Sequence, residues 1–174
     1  TRKEPKKILI NLRKWFYRDE FIHHMVKFIQ YLDDNGFDIY LIPFQQGNDD
    51  LVLKEVKGKL DCKNVHFLDN LDHYSLIDEI STAQLFIGMR LHGLVFSSIC
   101  NTPFIGLSYD PKVSIFSKEQ EQVCFHDLNK ITFESLVYEF NNVYSNIEDY
   151  RRKLKKNTEE ILRLNHVHKD VLKY

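Results

Sequence analysis

Apolar residues along this chain fall into two alternating rhythms. Five short runs, KILINLR (7–13), DIYLIPF (38–44), NVHFL (64–68), QLFIGM (84–89) and PFIGLSY (103–109), read as strands buried on both faces. Between them the apolar positions recur at helical spacing. DEFIHHMVKFIQYLDDNGF sets Phe21, Met25, Phe28, Ile29 and Leu32 on one face and ends on Asn35-Gly36, a stop signal. LVLKEVKGKL follows a polar QQGNDD in which Asp49 or Asp50 suits an N-cap, and Ser75 is the candidate cap of SLIDEISTA, with Leu76, Ile77 and Ile80 inward. LHGLVFSSIC and TFESLVYEFNNVY read as further helices, with VCF as a short sixth strand between them. The last segment, 147–170, is charged and helical, with Tyr150, Leu154, Ile161, Leu164 and Val167 as its sparse apolar positions.

Strands separated by helices of this length imply βαβ units, hence an α/β fold with a doubly wound, mostly parallel sheet and helices on both faces. No internal repeat, low-complexity tract or Pro/Gly-rich linker divides residues 1–174, so a single domain is expected.

Composition narrows the partners. With 24 Lys and Arg against 25 Asp and Glu, the chain carries no general field for a polyanion, and nucleic acid is not favoured. Its 13 Phe and 9 Tyr are spread over predicted strands and helices, as core packing requires, and do not suggest a base-stacking surface. Cys62, Cys100 and Cys124 form neither a disulfide framework nor close metal-binding pairs, so a reducing cytoplasm is the expected setting. His23-His24 and His166-x-His168 lack companion ligands at metal spacing and read as surface residues. The opening TRKEPKKILI has no signal-peptide stretch and no initiator Met, as expected of a processed product or an excised domain. No segment approaches a membrane span. RRKLKK (151–156) suits a solvated helix face, and a weak association with an anionic membrane surface is the alternative.

In open parallel sheets ligands bind beyond the carboxyl ends of the strands, where helix N-termini aim N–H groups outward. The fourth strand-to-helix loop, Gly88-Met89-Arg90-Leu91-His92-Gly93, joins two glycines that allow a tight turn or close ligand approach to a guanidinium and an imidazole at a helix start. That set suits an anion. The competing explanation is structural, with Arg90 paired to a carboxylate and His92 capping or packing. Arg13 at the end of the first strand and Lys112 after the fifth should project from the same sheet edge, which favours the anion site.

The block IGMRLHGLVFSSICNTPFIGLSYDPKV (87–113) resembles the signature segment of the polysaccharide pyruvyl transferases, with Arg-x-His before a small-residue helix, a Pro-led strand and a Tyr-Asp-x-Lys-Val end. INLRKW (10–15) is similar to the strand, Arg and aromatic that open the family's C-terminal domain, and PFQQGNDD resembles its next strand and acidic loop. The resemblance implies the Rossmann-like, donor-side half of a B-type glycosyltransferase architecture, with an N-terminal domain outside this chain whose loss leaves one face unusually apolar. It implies phosphoenolpyruvate as donor substrate, no cofactor and no metal, and a glycan or lipid-linked saccharide as acceptor. Arg13, Arg90, Leu91, His92, Gly93 and Lys112 are then the expected donor contacts, with Arg90 and His92 catalytic. His92 is open to two roles, proton donor or phosphate ligand, and Lys112 to two, phosphate contact or partner of Asp110. A nucleotide-sugar glycosyltransferase of related fold is the alternative, for which Asp69, Asp72 and Glu79 are the acidic candidates for a ribose. A non-catalytic anion- or glycan-binding domain is the third.

Overall fold

The computed structural model describes the backbone of residues 6–171 and the side chains of residues 6–165. Elements alternate in chain order: β1 (Lys7–Asn11), α1 (Asp19–Asp34), β2 (Asp38–Leu41), α2 (Asp49–Gly58), β3 (Val65–Phe67), α3 (His73–Ser81), β4 (Leu85–Gly88), α4 (Leu91–Ile99), β5 (Phe104–Leu107), α5 (Pro111–Glu119), β6 (Val123–Phe125), α6 (Phe133–Ser145) and α7 (Ile147–Val171). The strands form one sheet in the order β3-β2-β1-β4-β5-β6. Every pairing is parallel. A doubly wound α/β sheet is therefore what the alternating rhythms produce.

Period-two alternation along each strand divides the core into two layers. Ile8 and Ile10 of β1, with Ile39, Leu41, Leu85 and Ile87, face α1, α2 and α6. Leu9, Phe86 and Phe104 face the other way, onto Leu76 and Ile80 of α3, Leu94 of α4, Val113 of α5 and Leu154 of α7. All of these side chains are buried, which is why the central strands read as unbroken apolar runs.

Three local readings are corrected. The cap of α3 is Asp72, whose carboxylate accepts the Ser75 N–H at 2.7 Å; Ser75 itself supplies the donor. Neither Asp49 nor Asp50 caps α2; Asn48 stands at that position, and Asp49 is fully buried for a reason that belongs to the site. Helix α5 is absent from the sequence reading because PKVSIFSKE buries only Val113 and Ser117, too few apolar positions for a helical stripe. Its start is nonetheless well made, with Pro111 in the first turn and the Asp110 carboxylate accepting the Lys112 N–H at 2.8 Å.

In α7, Leu154 is buried, whereas Ile161 and Leu164 are exposed. The side chains of His166, Val167 and His168 lie outside the described residues. Among the described residues no group of His, Cys, Asp and Glu is arranged to hold a metal ion. No described helix is long and apolar enough to cross a membrane.

Candidate active site

The strand order reverses between β1 and β4: one pair of neighbours winds toward β3, the other toward β6. Crossovers leave in opposite directions there, and a crevice opens beyond the strand ends. Asn11 and Gly88 face each other across this point. Asn11 is the polar carboxyl end of a strand whose central residues are apolar, and it is fully buried. Its side-chain amide donates to the Ile42 carbonyl at 2.8 Å and to Asp49 Oδ2 at 3.0 Å. Its Oδ1 accepts the Arg90 N–H at 3.3 Å. One side chain thereby ties β1 to the loops that follow β2 and β4.

Arg90 is the N-cap residue of α4, in extended conformation, and its side chain turns toward α2. Arg90 Nε lies 3.2 Å from each oxygen of Asp49, and Nη2 lies 2.5 Å from Oδ1 and 2.7 Å from Gln45 Oε1. Asp49 also accepts the Phe44 N–H at 3.0 Å, so its carboxylate is surrounded by donors. The structural alternative for Arg90, pairing with a carboxylate, is thus realised. The pair does not exhaust the guanidinium, because Nη1 has no hydrogen-bond partner among the described residues. Asp49 fixes the fork of donors, and Nη1 stays available to a ligand at a helix start where the Gly93 and Leu94 N–H groups meet the Arg90 carbonyl but those of Leu91 and His92 have no acceptor among the described residues.

A cleft of about 270 Å³ opens beside this pair. Phe44 and Gln45 from the loop after β2, Leu71 and His73 at the start of α3, and Arg90 and His92 form its walls. His92 is exposed on the first turn of α4. His73 is also exposed, with its ring edge-on to Phe96 at 6.4 Å between centroids. Two imidazoles and a guanidinium therefore share one cleft.

Gly88 and Gly93 both pack against the aromatic core. A Cβ at Gly88 would come within 2.4 Å of the Phe86 ring, and one at Gly93 within 2.5 Å of the same ring and 2.9 Å of Phe44. The buried Phe86 ring fills the space a side chain would need, so α4 sits close on the sheet and its N-terminus is held at the crevice. Leu91 packs against the same core layer.

Arg13 and Lys112 lie elsewhere on the edge. The Arg13 guanidinium is 4.4 Å from the Tyr109 ring centroid and 5.1 Å from that of Trp15, on the β5 side of the crevice. Its backbone N–H meets Met89 Sδ at 3.4 Å, next to Arg90 in the chain. Lys112 stands on the first turn of α5 and does not line the Arg90 cleft. Sequence reasoning missed Asn11, Asp49, Gln45 and His73. Asn11 left a signal, a lone amide ending a buried strand, and Gln45 and Asp49 lay in the acidic loop PFQQGNDD without any sign of their partner.

A doubly wound parallel sheet with polar residues gathered at the reversal of strand order has the fold of the Rossmann-like half of a B-type glycosyltransferase architecture. The chain belongs to the polysaccharide pyruvyl transferase family, whose model matches residues 2–111. Solved structures share the fold at low identity. UDP-GlcNAc 2-epimerase from Neisseria meningitidis, bound to UDP-GlcNAc, is 15% identical with a TM-score of 0.61, covering 88% of this chain and 40% of that one. An E. coli heptosyltransferase with ADP is 17% identical at a TM-score of 0.61, covering 83% and 46%. Os79 from O. sativa, in complex with UDP, is 12% identical at 0.65, covering 90% and 36%. The chain thus spans less than half the length of these proteins. No curated protein matches it in sequence.

Proposed function

We propose that this chain is the donor-binding half of an enzyme that transfers a pyruvyl group from phosphoenolpyruvate to a sugar of a glycan, forming a ketal, and that an N-terminal domain outside it helps hold the acceptor. The observation that carries this reading is Arg90, held by buried Asp49 and by Gln45 at the N-terminus of α4, with Nη1 unclaimed and His92 on the same cleft wall. A phosphate and a carboxylate on one small donor require cationic contacts at two points. Helix start and guanidinium supply the first, and Arg13 across Met89 supplies the second. In the reaction the methylene carbon of the donor takes a proton while one sugar hydroxyl adds to the neighbouring carbon and gives up its own proton, which restores the proton donor. A second hydroxyl of that sugar then displaces phosphate, which leaves with the second hydroxyl proton. In this reading His92, on the cleft wall, gives the first proton or binds the departing phosphate.

A nucleotide-sugar donor is the second reading, favoured by the nucleotides named with the structures of similar fold. The acidic residues it needs are engaged. Glu79 pairs with Lys7 at the opposite edge of the sheet, Asp72 caps α3, and Asp69 accepts the Asn70 N–H.

Titration with phosphoenolpyruvate, a nucleoside diphosphate sugar and inorganic phosphate separates the readings. Phosphoenolpyruvate should bind best, Arg90→Ala should weaken it about tenfold or more, the loss expected for one charge-assisted contact, and His92→Ala should reduce turnover by the full-length enzyme more than it reduces binding. Preference for the nucleotide sugar, or unchanged donor affinity in Arg90→Ala, refutes the donor assignment.

A further inference from the structure

On the β5 side of the crevice lies a second group of residues that the donor cleft does not use. Trp15 and Phe16, in the loop between β1 and α1, meet at 5.5 Å between ring centroids, and Trp15 meets Tyr109 at 5.0 Å, both edge-to-face. Phe16 is 92% exposed and Trp15 39%. Such rings in water at a functional edge mark a surface that something covers. They are also held in place, because the Arg13 guanidinium lies against both Trp15 and Tyr109. Arg13 Nε is shielded from solvent and has no hydrogen-bond partner among the described residues. The cation thus braces the aromatic wall from the donor side of the crevice.

Tyr109 continues from this wall into a cleft of about 300 Å³, whose polar lining is Ser108, Asp110, Ser114 and His126. Two hydroxyls there, Ser114 and Ser108, are linked at 2.6 Å, and Asp110 uses Oδ1 on the Lys112 N–H. His126 is exposed. A surface made for another protein's apolar side chains would exclude charge from its centre. This one joins flat aromatic faces to a carboxylate, hydroxyls and an imidazole. A pyranose ring has that duality: axial C–H groups on one face, and hydroxyls around the rim that pair with carboxylate and imidazole.

We propose that a sugar ring of the acceptor glycan docks here, its apolar face on Trp15 and Tyr109 under the edge of Phe16 and its hydroxyls turned to Asp110 and His126. The assignment rests on the pyruvyl-transfer reading for the identity of the ligand as an acceptor. Arg13 and Met89 then form the ridge between the two sites, which puts acceptor and donor side by side.

Trp15 is the sole tryptophan of the chain, so its emission reports on this wall directly. The test titrates the chain with methyl pyranosides of galactose, glucose, mannose and N-acetylmannosamine into the tens-of-millimolar range. Phosphoenolpyruvate and inorganic phosphate are titrated separately. At least one pyranoside should shift Trp15 emission saturably, and saturation-transfer NMR should show its ring protons in contact with the protein. Tyr109→Ala and Phe16→Ala should each weaken the sugar about tenfold, the loss of one stacking surface, and Asp110→Asn should weaken it with the fold intact by circular dichroism. If no pyranoside moves the emission while phosphoenolpyruvate binds, the sugar site is overturned and the donor reading stands. If only phosphate or phosphoenolpyruvate moves it, the wall belongs to an anion site and the proposal also fails. Sugar binding without any phosphoenolpyruvate binding supports this platform and refutes the donor assignment instead.

Discussion

At the scale of single residues, the site depends on a buried carboxylate as much as on its cations. Asp49 is inaccessible to solvent and accepts from Asn11, Phe44 and Arg90, so it converts a long, mobile guanidinium into a fixed fork. Removing one partner of such a pair leaves a charge without compensation in a place water does not reach. Asp49→Ala should therefore destabilise the fold by about 3 kcal/mol in chemical denaturation, at the low end for buried pairs because the Arg90 side chain keeps 15% exposure. The same substitution should weaken phosphoenolpyruvate binding although Asp49 makes no ligand contact. An Asp49→Ala chain of unaltered stability would show that the carboxylate is dispensable.

At the scale of elements, α4 is placed by what the sheet beneath it lacks. Phe86 fills the volume under Gly88 and Gly93, and α4 approaches closely only because neither residue carries a Cβ. In Gly93→Ala the added methyl meets two rings, Phe86 and Phe44, of which the first is fully buried. Overpacking of this kind costs about 1–3 kcal/mol. It should also move the helix start outward, so thermal unfolding should fall and donor affinity should fall with it. Helix propensity alone predicts the opposite sign, since Ala exceeds Gly by about 1 kcal/mol in a helix interior. A more stable Gly93→Ala chain would show that the rings move aside.

At the scale of the whole molecule, burial sets how the fold responds to pH. Burial, aided by the charges of Glu55 and Asp49, pushes the Tyr17 phenol up to about 12 from an ordinary 10.0. Burial, aided by Asp33, pushes the Cys62 thiol up to about 11 from 9.0. In both cases the folded chain holds its proton to higher pH than the unfolded chain does. The resulting stability is complete below about pH 9 and is lost as pH rises through about 9 to 12. Urea midpoints should therefore decline steeply over that window, and less steeply in a Cys62→Ala, Tyr17→Phe double variant. A flat midpoint from pH 9 to 11 in the unaltered chain would contradict this account.

The linear pattern of the chain determined its architecture, because strands buried on both faces must be apolar throughout and amphipathic helices must show one apolar stripe. Those demands are local and survive in one dimension, so the parallel sheet, every helix but one and the edge holding Arg13, Arg90 and His92 were legible. Helix α5 was not, since Val113 and Ser117 alone are too sparse a stripe to read. Which charged groups meet is a different kind of fact. Arg90 lies 41 residues from Asp49, and Arg13 lies 96 from Tyr109, yet each pair is in contact because parallel crossovers return every strand end to one edge. Spacing along the chain carries no trace of such encounters. Tertiary structure alone decided that Asp49 anchors an arginine where a helix cap was expected. It also decided that Arg13 stiffens an aromatic wall, that Lys112 stands outside the Arg90 cleft, and that His73 joins His92 within it.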